Sequence, residues 1–151
     1  MTKERYEDLL LQARGLFAGV RDPITNAANL SALIWHGLPG LNWAGFYFLK
    51  GGELMLGPFQ GKPACVRIAM GKGVCGTAAA TQTTLLVPDV HAFPGHIACD
   101  SRSKSEIVVC VRDGNGKLAG VLDVDSTDLA AFDETDQAGL EAICADLLLT
   151  P

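Results

Sequence analysis

The spacing of apolar and polar positions predicts helices at both ends of the chain. Apolar residues recur every three or four positions over residues 3–18 and again up to Gly37, which is the pattern of an amphipathic helix. Asp22 and Pro23 are typical of the N-cap and first position of a helix, so they mark the start of the second one. The same spacing returns after Asp133, where it predicts a last helix.

Between these helices, runs of aromatic and branched residues are separated by glycine-rich turns, which is typical of strands. The predicted strands lie at residues 41–49, 54–59, 65–68, 84–87, 105–112 and 117–125, with a short helix at 74–80. Several of the connections between successive strands are too short for parallel crossovers. The order of elements therefore predicts an α+β fold with a central antiparallel sheet.

The last predicted strand carries two acids on one face. Because side chains alternate along a strand, Asp123 and Asp125 project from one face while Leu122 and Val124 enter the other. A solvated acidic edge would explain the acids, but not why they follow strongly apolar residues, and like charges across a sheet are destabilising. We therefore favour a pocket for a small cation, in which at least one carboxyl has a raised pKa and can donate a proton.

The turn before this strand decides which acids meet. Residues 113–116, Asp-Gly-Asn-Gly, predict a type I′ hairpin turn, which needs positive φ at both central residues. In one register of the hairpin Glu106 lies opposite Asp123. With the turn moved by one residue on each strand, it lies opposite Asp125. Both registers place the three carboxylates on one face.

A long polar loop over residues 89–104 interrupts the strands. Loops of this length inside a compact domain are usually lids, binding loops or disordered spacers, and a spacer would not expose Phe93, Ile97 and Cys99 to solvent. We predict an ordered lid over a pocket. Cys99 lies in this lid among small residues, so it is the predicted nucleophile.

The chain has five cysteines, which in a reducing compartment indicates redox, nucleophilic or metal roles for some of them. Cys65 and Cys75 can meet Cys99 only through the fold, and the sequence does not choose between them. Cys110 and Cys144 fit buried small hydrophobes. A zinc site from Cys65, Cys75, Cys99 and a histidine lacks the short spacing of structural zinc sites, so we expect no metal and no cofactor.

Composition excludes several classes of protein. A net charge of −5 opposes nucleic-acid binding, which needs a basic patch. A hydrophobic fraction of 48% excludes disorder, while no apolar run approaches the roughly 18 residues of a membrane span. The N-terminus lacks the features of a secretory signal, so we expect a cytoplasmic protein without membrane association.

Seven short segments carry a family resemblance. They are residues 42–47 (NWAGFY), 61–68 (GKPACVRI), 73–77 (GVCGT), 89–93 (DVHAF), 95–100 (GHIACD), 105–108 (SEIV) and 120–126 (GVLDVDS). Together they closely resemble the free methionine-R-sulfoxide reductases, which are built on a GAF domain. The resemblance implies a single GAF-like domain over residues 1–151, with the terminal helices on one face of the sheet and a ligand pocket under the long loop on the other.

The resemblance also assigns roles to the thiols. It implies that Cys99 is the catalytic cysteine, that Cys65 is its usual resolving partner and that Cys75 is a secondary thiol. The position of Cys110, where a proline is expected in related sequences, departs from the family pattern. The implied reaction leaves Cys99 as a sulfenic acid, which Cys65 converts to a disulfide.

The residues that the resemblance places around the substrate are Trp43, Glu106, Asp123 and Asp125. Trp43 contributes to an aromatic wall, the three acids hold the substrate, and either Glu106 or Asp125 donates the proton. The implied partners are free methionine-R-sulfoxide as substrate and thioredoxin as the reductant of the disulfide. A homodimer is the expected assembly.

Two other functions remain open at this stage. A non-catalytic GAF-type sensor would bind a small ligand without turnover, and its function would survive the loss of Cys99. A redox sensor would use its disulfide to alter a partner. Reduction of a sulfoxide in the presence of a dithiol separates both from a reductase.

Overall fold

Helices and strands follow one another in the order that the sequence predicts, within residues 1–95 and 100–147 that the computed structural model describes. The elements are α1 (Lys3–Phe17), α2 (Pro23–Gly37), β1 (Leu41–Lys50), β2 (Glu53–Gly61), β3 (Arg67–Ala69), α3 (Gly73–Thr81), β4 (Leu85–Val87), a 3₁₀ turn (Val90–Ala92), β5 (Ser105–Arg112), β6 (Leu118–Ser126) and α4 (Glu134–Leu147). Within these ranges, no helix has the length and apolar character that crossing a membrane requires.

The six strands form one sheet in the order β3-β2-β1-β6-β5-β4. Every neighbouring pair in this sheet is antiparallel. The prediction of an α+β fold with a central antiparallel sheet is therefore confirmed. β1 and β6 lie at the centre, so both their faces are available for packing.

One face of the sheet packs against α1, α2 and α4. Alternate residues of the central strands enter this core, among them Phe46, Leu122 and Val124, which are fully buried. The opposite face packs against α3 and buries Tyr47 and Val121. The terminal helices and the α3 side thus occupy opposite faces, as expected from the resemblance.

The third strand begins later than the sequence predicts. It spans Arg67–Ala69 and pairs with Glu53–Met55 of β2, so the predicted span of 65–68 was wrong at its start. Cys65 lies before the strand, where its carbonyl accepts a hydrogen bond from the Tyr47 hydroxyl. A side chain therefore binds the backbone at a position where pattern alone predicted a strand.

The predicted type I′ turn between β5 and β6 is wrong. Of its residues, only Gly116 has positive φ, at 80°. Gly116 N–H donates to the Asp113 carbonyl, and the Asp113 carboxylate accepts from the N–H groups of Asn115 and Lys117. This is a type I turn followed by a left-handed residue that adds a bulge, and the register shifts next to it, between Val111 and Arg112.

α1 and α4 are joined by a buried polar contact. The Tyr6 hydroxyl donates to the Asp136 carboxylate at 2.7 Å, and the other oxygen of Asp136 accepts from Asp133 N–H at 2.8 Å. Gly139, one turn further along α4, lies directly under the Tyr6 ring. A Cβ at position 139 would be 2.2 Å from Tyr6 Cγ, so a glycine is required for this close approach.

Replacing Gly139 by alanine tests this packing. We expect Gly139→Ala to lower the free energy of unfolding by about 1–3 kcal/mol, the usual cost of overpacking a core. The matched control is Gly15→Ala in α1, where a Cβ meets nothing within 4 Å and higher helix propensity should raise stability by roughly 0.5–1 kcal/mol. Urea unfolding of both variants measures the difference, and equal effects would contradict the packing argument.

Candidate active site

The three acids predicted to cluster lie together on the α3 side of the sheet. Glu106 of β5 is directly opposite Asp125 of β6, and Asp123 is opposite Val108. The second of the two registers left open by the sequence is therefore the observed one. Glu106 is 6% exposed and Asp123 is 7% exposed, so the cluster is not a solvated edge.

A cleft opens over this cluster, with about 580 Å³ of empty space when the part open to solvent is counted. The cleft is lined by Trp43, Tyr47, Lys62, Pro63, Ala64, Ile68, Lys72, Gly73, Val74, Cys75, Asp100, Ser103, Glu106, Asp123 and Asp125. Aromatic, acidic, basic and thiol groups thus share one small cavity.

Burial and mutual repulsion keep protons on the acids. The pKa of Glu106 is raised well above its ordinary value, first by burial and then by the charges of Asp123 and Asp125. Burial and the charge of Asp123 likewise raise the pKa of Asp125. Side-chain hydrogen bonds join Glu106 to both aspartates, so the groups titrate as a unit. The cluster can therefore keep a proton at a pH where an exposed carboxyl would have lost it, and can transfer that proton.

Cys75 enters the cleft from the first turn of α3. Its thiol is 5% exposed and donates to Glu106 Oε2 over 4.0 Å. Burial raises its pKa well above the ordinary value, and the nearby charge of Asp123 raises it further. Because the thiolate is the reactive form of cysteine, this environment keeps Cys75 protonated and suppresses its reactivity.

The aromatic wall is built by β1. The Trp43 ring stacks on Phe59 with centroids 5.2 Å apart and on Tyr47 at 5.9 Å. Trp43 also pairs with Asp125 across the sheet, so the wall stands beside the acids. Gly45 makes this possible, since a Cβ there would be 2.3 Å from Phe59 Cβ.

Tyr47 was not among the site residues predicted from the sequence. It lies four residues after Trp43 on the same strand face, and its ring is 2% exposed. Period-two alternation along β1 could have placed it beside Trp43. Its hydroxyl donates to the Cys65 carbonyl at 2.8 Å, and the indole N–H of Trp43 donates to the Lys62 carbonyl at 3.1 Å. These contacts between distant segments could not be predicted from the sequence.

The structure describes four of the five cysteines, and these four are in two redox states. Cys65 is disulfide-bonded, whereas Cys75, Cys110 and Cys144 carry free thiols. Cys99, the predicted nucleophile, lies outside the described residues.

Cys144 is buried in the core as expected. Cys110, which the sequence predicted to be a buried hydrophobe, is only half-buried and donates to the Ala78 carbonyl at 3.4 Å. The difference arises because β4 is short. Its pairing with β5 ends at Val108, so position 110 lies next to a loop. Cys110 is outside the acid cleft.

The described parts of the predicted lid are fixed to the sheet at both stems. Val90 of the 3₁₀ turn is fully buried, and its N–H donates to the Lys104 carbonyl at 2.9 Å. Asn42 of β1, a second residue that the prediction missed, donates to Asp100 Oδ2 at 3.2 Å and to Ser103 Oγ at 2.9 Å.

Asp100 is a permanently ionised group at this edge. Hydrogen bonds from the Arg102 side chain and backbone hold the pKa of Asp100 well below its usual range. The guanidinium donates to both carboxylate oxygens, at 3.2 and 2.9 Å. The residue that follows position 99 in sequence is therefore fastened to β1 and to its own loop.

A metal ion has one possible set of ligands in the described part of the chain. Ligand atoms of Cys75, Glu106 and Asp123 lie within 4.8 Å of one another. This set differs from the four-residue zinc site that the sequence argued against. A metal ion bound there would have to displace the protons that the raised pKa values of Glu106 and Cys75 favour.

Comparison with known proteins places this geometry in a family. The sequence matches the GAF domain family over residues 18–149. It is 50% identical over 148 residues to the free methionine-R-sulfoxide reductase of Saccharomyces cerevisiae, covering 93% of this chain and 82% of that protein. It is 49% identical over 144 residues to the Escherichia coli protein of the same name, covering 95% and 87%.

Solved structures agree with the sequence comparison. The fRMsr of Staphylococcus aureus, in complex with its substrate, superposes with a TM-score of 0.90 at 48% identity, over 95% of this chain and 93% of that chain. The similarity in both sequence and fold thus covers nearly the whole length of the chain. The chain belongs to the GAF-domain family of free methionine-R-sulfoxide reductases.

Proposed function

We propose that this protein reduces free methionine-R-sulfoxide to methionine. The observation that carries the proposal is the cluster of Glu106, Asp123 and Asp125, which lies beside an aromatic wall in a cleft that also holds basic groups. Two reductases that are 50% and 49% identical to this chain support the same activity. The preference for the R epimer rests on the family alone.

The charges around the cleft fit a free amino acid. The acids supply negative charge for an ammonium group. Lys62 and Lys72 line the same cleft, and α3 begins there at Gly73, so its amino end adds partial positive charge for a carboxylate. Trp43 offers an apolar surface for the side chain. A residue inside a peptide has neither free terminus.

The first chemical step uses the Cys99 thiol, which we propose as nucleophile. Its sulfur attacks the sulfoxide sulfur while Glu106 or Asp125 protonates the oxygen. The hydroxyl then moves to the Cys99 sulfur as the S–O bond of the substrate and the transient S–S bond both break, and methionine leaves. Cys99 is oxidised to a sulfenic acid, and the proton lost by its thiol balances the one that the carboxyl gave.

The second step returns the enzyme to its reduced form. Cys65 attacks the sulfenic sulfur, a disulfide forms, and the oxygen leaves as water. Cys65 is proposed as the resolving residue because it is disulfide-bonded while Cys75, Cys110 and Cys144 are free. Thioredoxin, or another dithiol, then reduces the bond by exchange.

The wider setting follows from the same proposal. A thioredoxin-dependent enzyme needs a reducing compartment, so we place it in the cytoplasm. We also expect one domain over residues 1–151, a homodimer, and no cofactor. The experiment that tests the function is multiple turnover of free methionine sulfoxide with thioredoxin and its reductase, followed by methionine formation. A sensor would bind the compound without releasing methionine.

The division of labour among the thiols is testable. Cys99→Ser should abolish reduction. Cys65→Ser should still release about one methionine per enzyme in a single turnover but should recycle poorly with thioredoxin. Cys144→Ser, a change in the core far from the cleft, is the control and should retain turnover. Full multiple turnover by Cys99→Ser would contradict the assignment of the nucleophile.

Recognition of both free termini is a separate prediction. N-acetylmethionine sulfoxide lacks the ammonium and methioninamide sulfoxide lacks the carboxylate, so each should be reduced at least ~10-fold less efficiently than the free amino acid, as expected when a charged partner is left unpaired. The doubly blocked compound should show no measurable reduction. If the blocked compounds are reduced as fast as the free amino acid, the charges of the cleft do not recognise the substrate.

Replacing Glu106 by glutamine separates proton donation from binding. Glutamine keeps the size and a hydrogen-bond donor but has no transferable proton, so methionine release in a single turnover should fall by roughly 10²-fold or more, the usual scale of a lost general acid. Asp123→Asn should instead weaken substrate binding. An unchanged saturating rate in Glu106→Gln would move the role to Asp125 or water.

The same variant has a signature in stability. Because burial raises the pKa of Glu106 in the folded state, the folded protein binds more protons than the unfolded one above the ordinary pKa. Stability should therefore fall as pH rises from that value through the raised pKa. Glu106→Gln should flatten this slope in urea unfolding measured at several pH values, and a slope equal to that of the wild type would indicate another titrating group.

A further inference from the structure

Tyr47 makes a contact that substrate binding does not need. It is one of two tyrosines in the chain, and its ring is buried beside the acid cleft. Its hydroxyl donates to the backbone carbonyl of Cys65 at 2.8 Å. A phenol at this position therefore binds the residue proposed to resolve the sulfenic acid.

Hydrogen bonds from β1 and β2 hold the segment that carries Cys65. Residues 62–66 belong to no helix or strand, and they link β2 to the three-residue β3. Trp43 Nε1 holds the start of the segment at the Lys62 carbonyl, 3.1 Å away. Leu56 N–H holds its end at the Val66 carbonyl, 2.9 Å away. The Tyr47 hydrogen bond falls between these two, at the cysteine itself.

We propose that Tyr47 is a positioning residue for disulfide formation, holding Cys65 where its sulfur can attack the sulfenic acid. This inference rests on the proposed function. In the step concerned, the Cys65 sulfur forms a bond to the sulfenic sulfur, the S–O bond breaks, and the hydroxyl leaves with the Cys65 proton as water. A tether of the backbone at Cys65 raises the fraction of time that the two sulfurs spend in reacting geometry.

Burial strengthens this role. The Tyr47 ring cannot turn away, since Trp43 stacks on it at 5.9 Å and β1 fixes its backbone in the centre of the sheet. Burial and the nearby charge of Asp123 raise the pKa of its hydroxyl, which keeps the proton on the oxygen. The hydroxyl is thus a permanent donor on a rigid support, whereas its acceptor lies on an irregular segment.

The experiment compares two rates in Tyr47→Phe, which keeps the ring and removes the hydroxyl. After mixing reduced enzyme with one equivalent of free methionine sulfoxide, methionine release is followed by chromatography. The Cys99 sulfenic acid is trapped with dimedone at each time point and counted by mass spectrometry. We expect the ratio of disulfide formation to methionine release to fall about 5-fold, the factor corresponding to one hydrogen bond, with a matching accumulation of sulfenic acid.

Tyr6→Phe is the matched control. It removes the other buried tyrosine hydroxyl, which makes a bond of 2.7 Å to Asp136 between α1 and α4, on the opposite face of the sheet. It should lower stability but leave the ratio unchanged.

The outcomes separate the inference from the function on which it rests. An unchanged ratio in folded Tyr47→Phe, or an equal fall in Tyr6→Phe, overturns the positioning role. Slower methionine release with no accumulated sulfenic acid also overturns it, since Tyr47 would then act only on the substrate. Absence of methionine release from the wild type would instead refute the proposed function.

Discussion

The structure depends on one electrostatic constraint: three carboxyl groups share a buried site and cannot all be ionised there. Two of them, Glu106 and Asp125, face each other across β5 and β6, and both have raised pKa values because of burial and mutual repulsion. Carboxylates this close together and this well shielded from water are tolerated only if they share protons or bind a cation. The acid cluster therefore holds a proton that the proposed reaction can use, and a substrate ammonium would change the protonation of the cluster.

A turn far from the chemistry sets this constraint. The bulge at Gly116 fixes the hairpin register so that Glu106 meets Asp125 rather than Asp123. A shift of one residue on one strand alone would send the acids of β6 to the core face, where Leu122 and Val124 now pack against the helices. The apolar side chains of the core face and the acids of the cleft face thus hold the same register, each making the alternative costly.

The sequence predicted the α-helices, the strands and the acid cluster. It did not predict the hairpin register or the hydrogen bonds between distant segments. Helical periodicity and strand alternation located the α-helices and strands to within a few residues, because both patterns reflect burial on one face. The clustering of three acids followed from side-chain alternation and from pairing the two strands as a hairpin. The register did not, since it depends on turn φ angles that Asp-Gly-Asn-Gly satisfies in two ways. The start of β3 and the roles of Asn42 and Tyr47 could not be predicted either, because they arise from hydrogen bonds between distant segments.

β1 connects these long-range contacts. Asn42 holds the lid stem through Ser103 and Asp100, Trp43 forms the wall and binds Lys62, and Tyr47 binds Cys65. One central strand therefore fastens the two irregular segments that border the cleft, one of which carries the proposed resolving cysteine. A reaction between groups on two loops needs their separation to be set by something more rigid than either. The middle of the sheet supplies that rigidity, and it also carries Asp123 and Asp125 on the adjacent strand, so the acid cluster and the loop anchors share one frame.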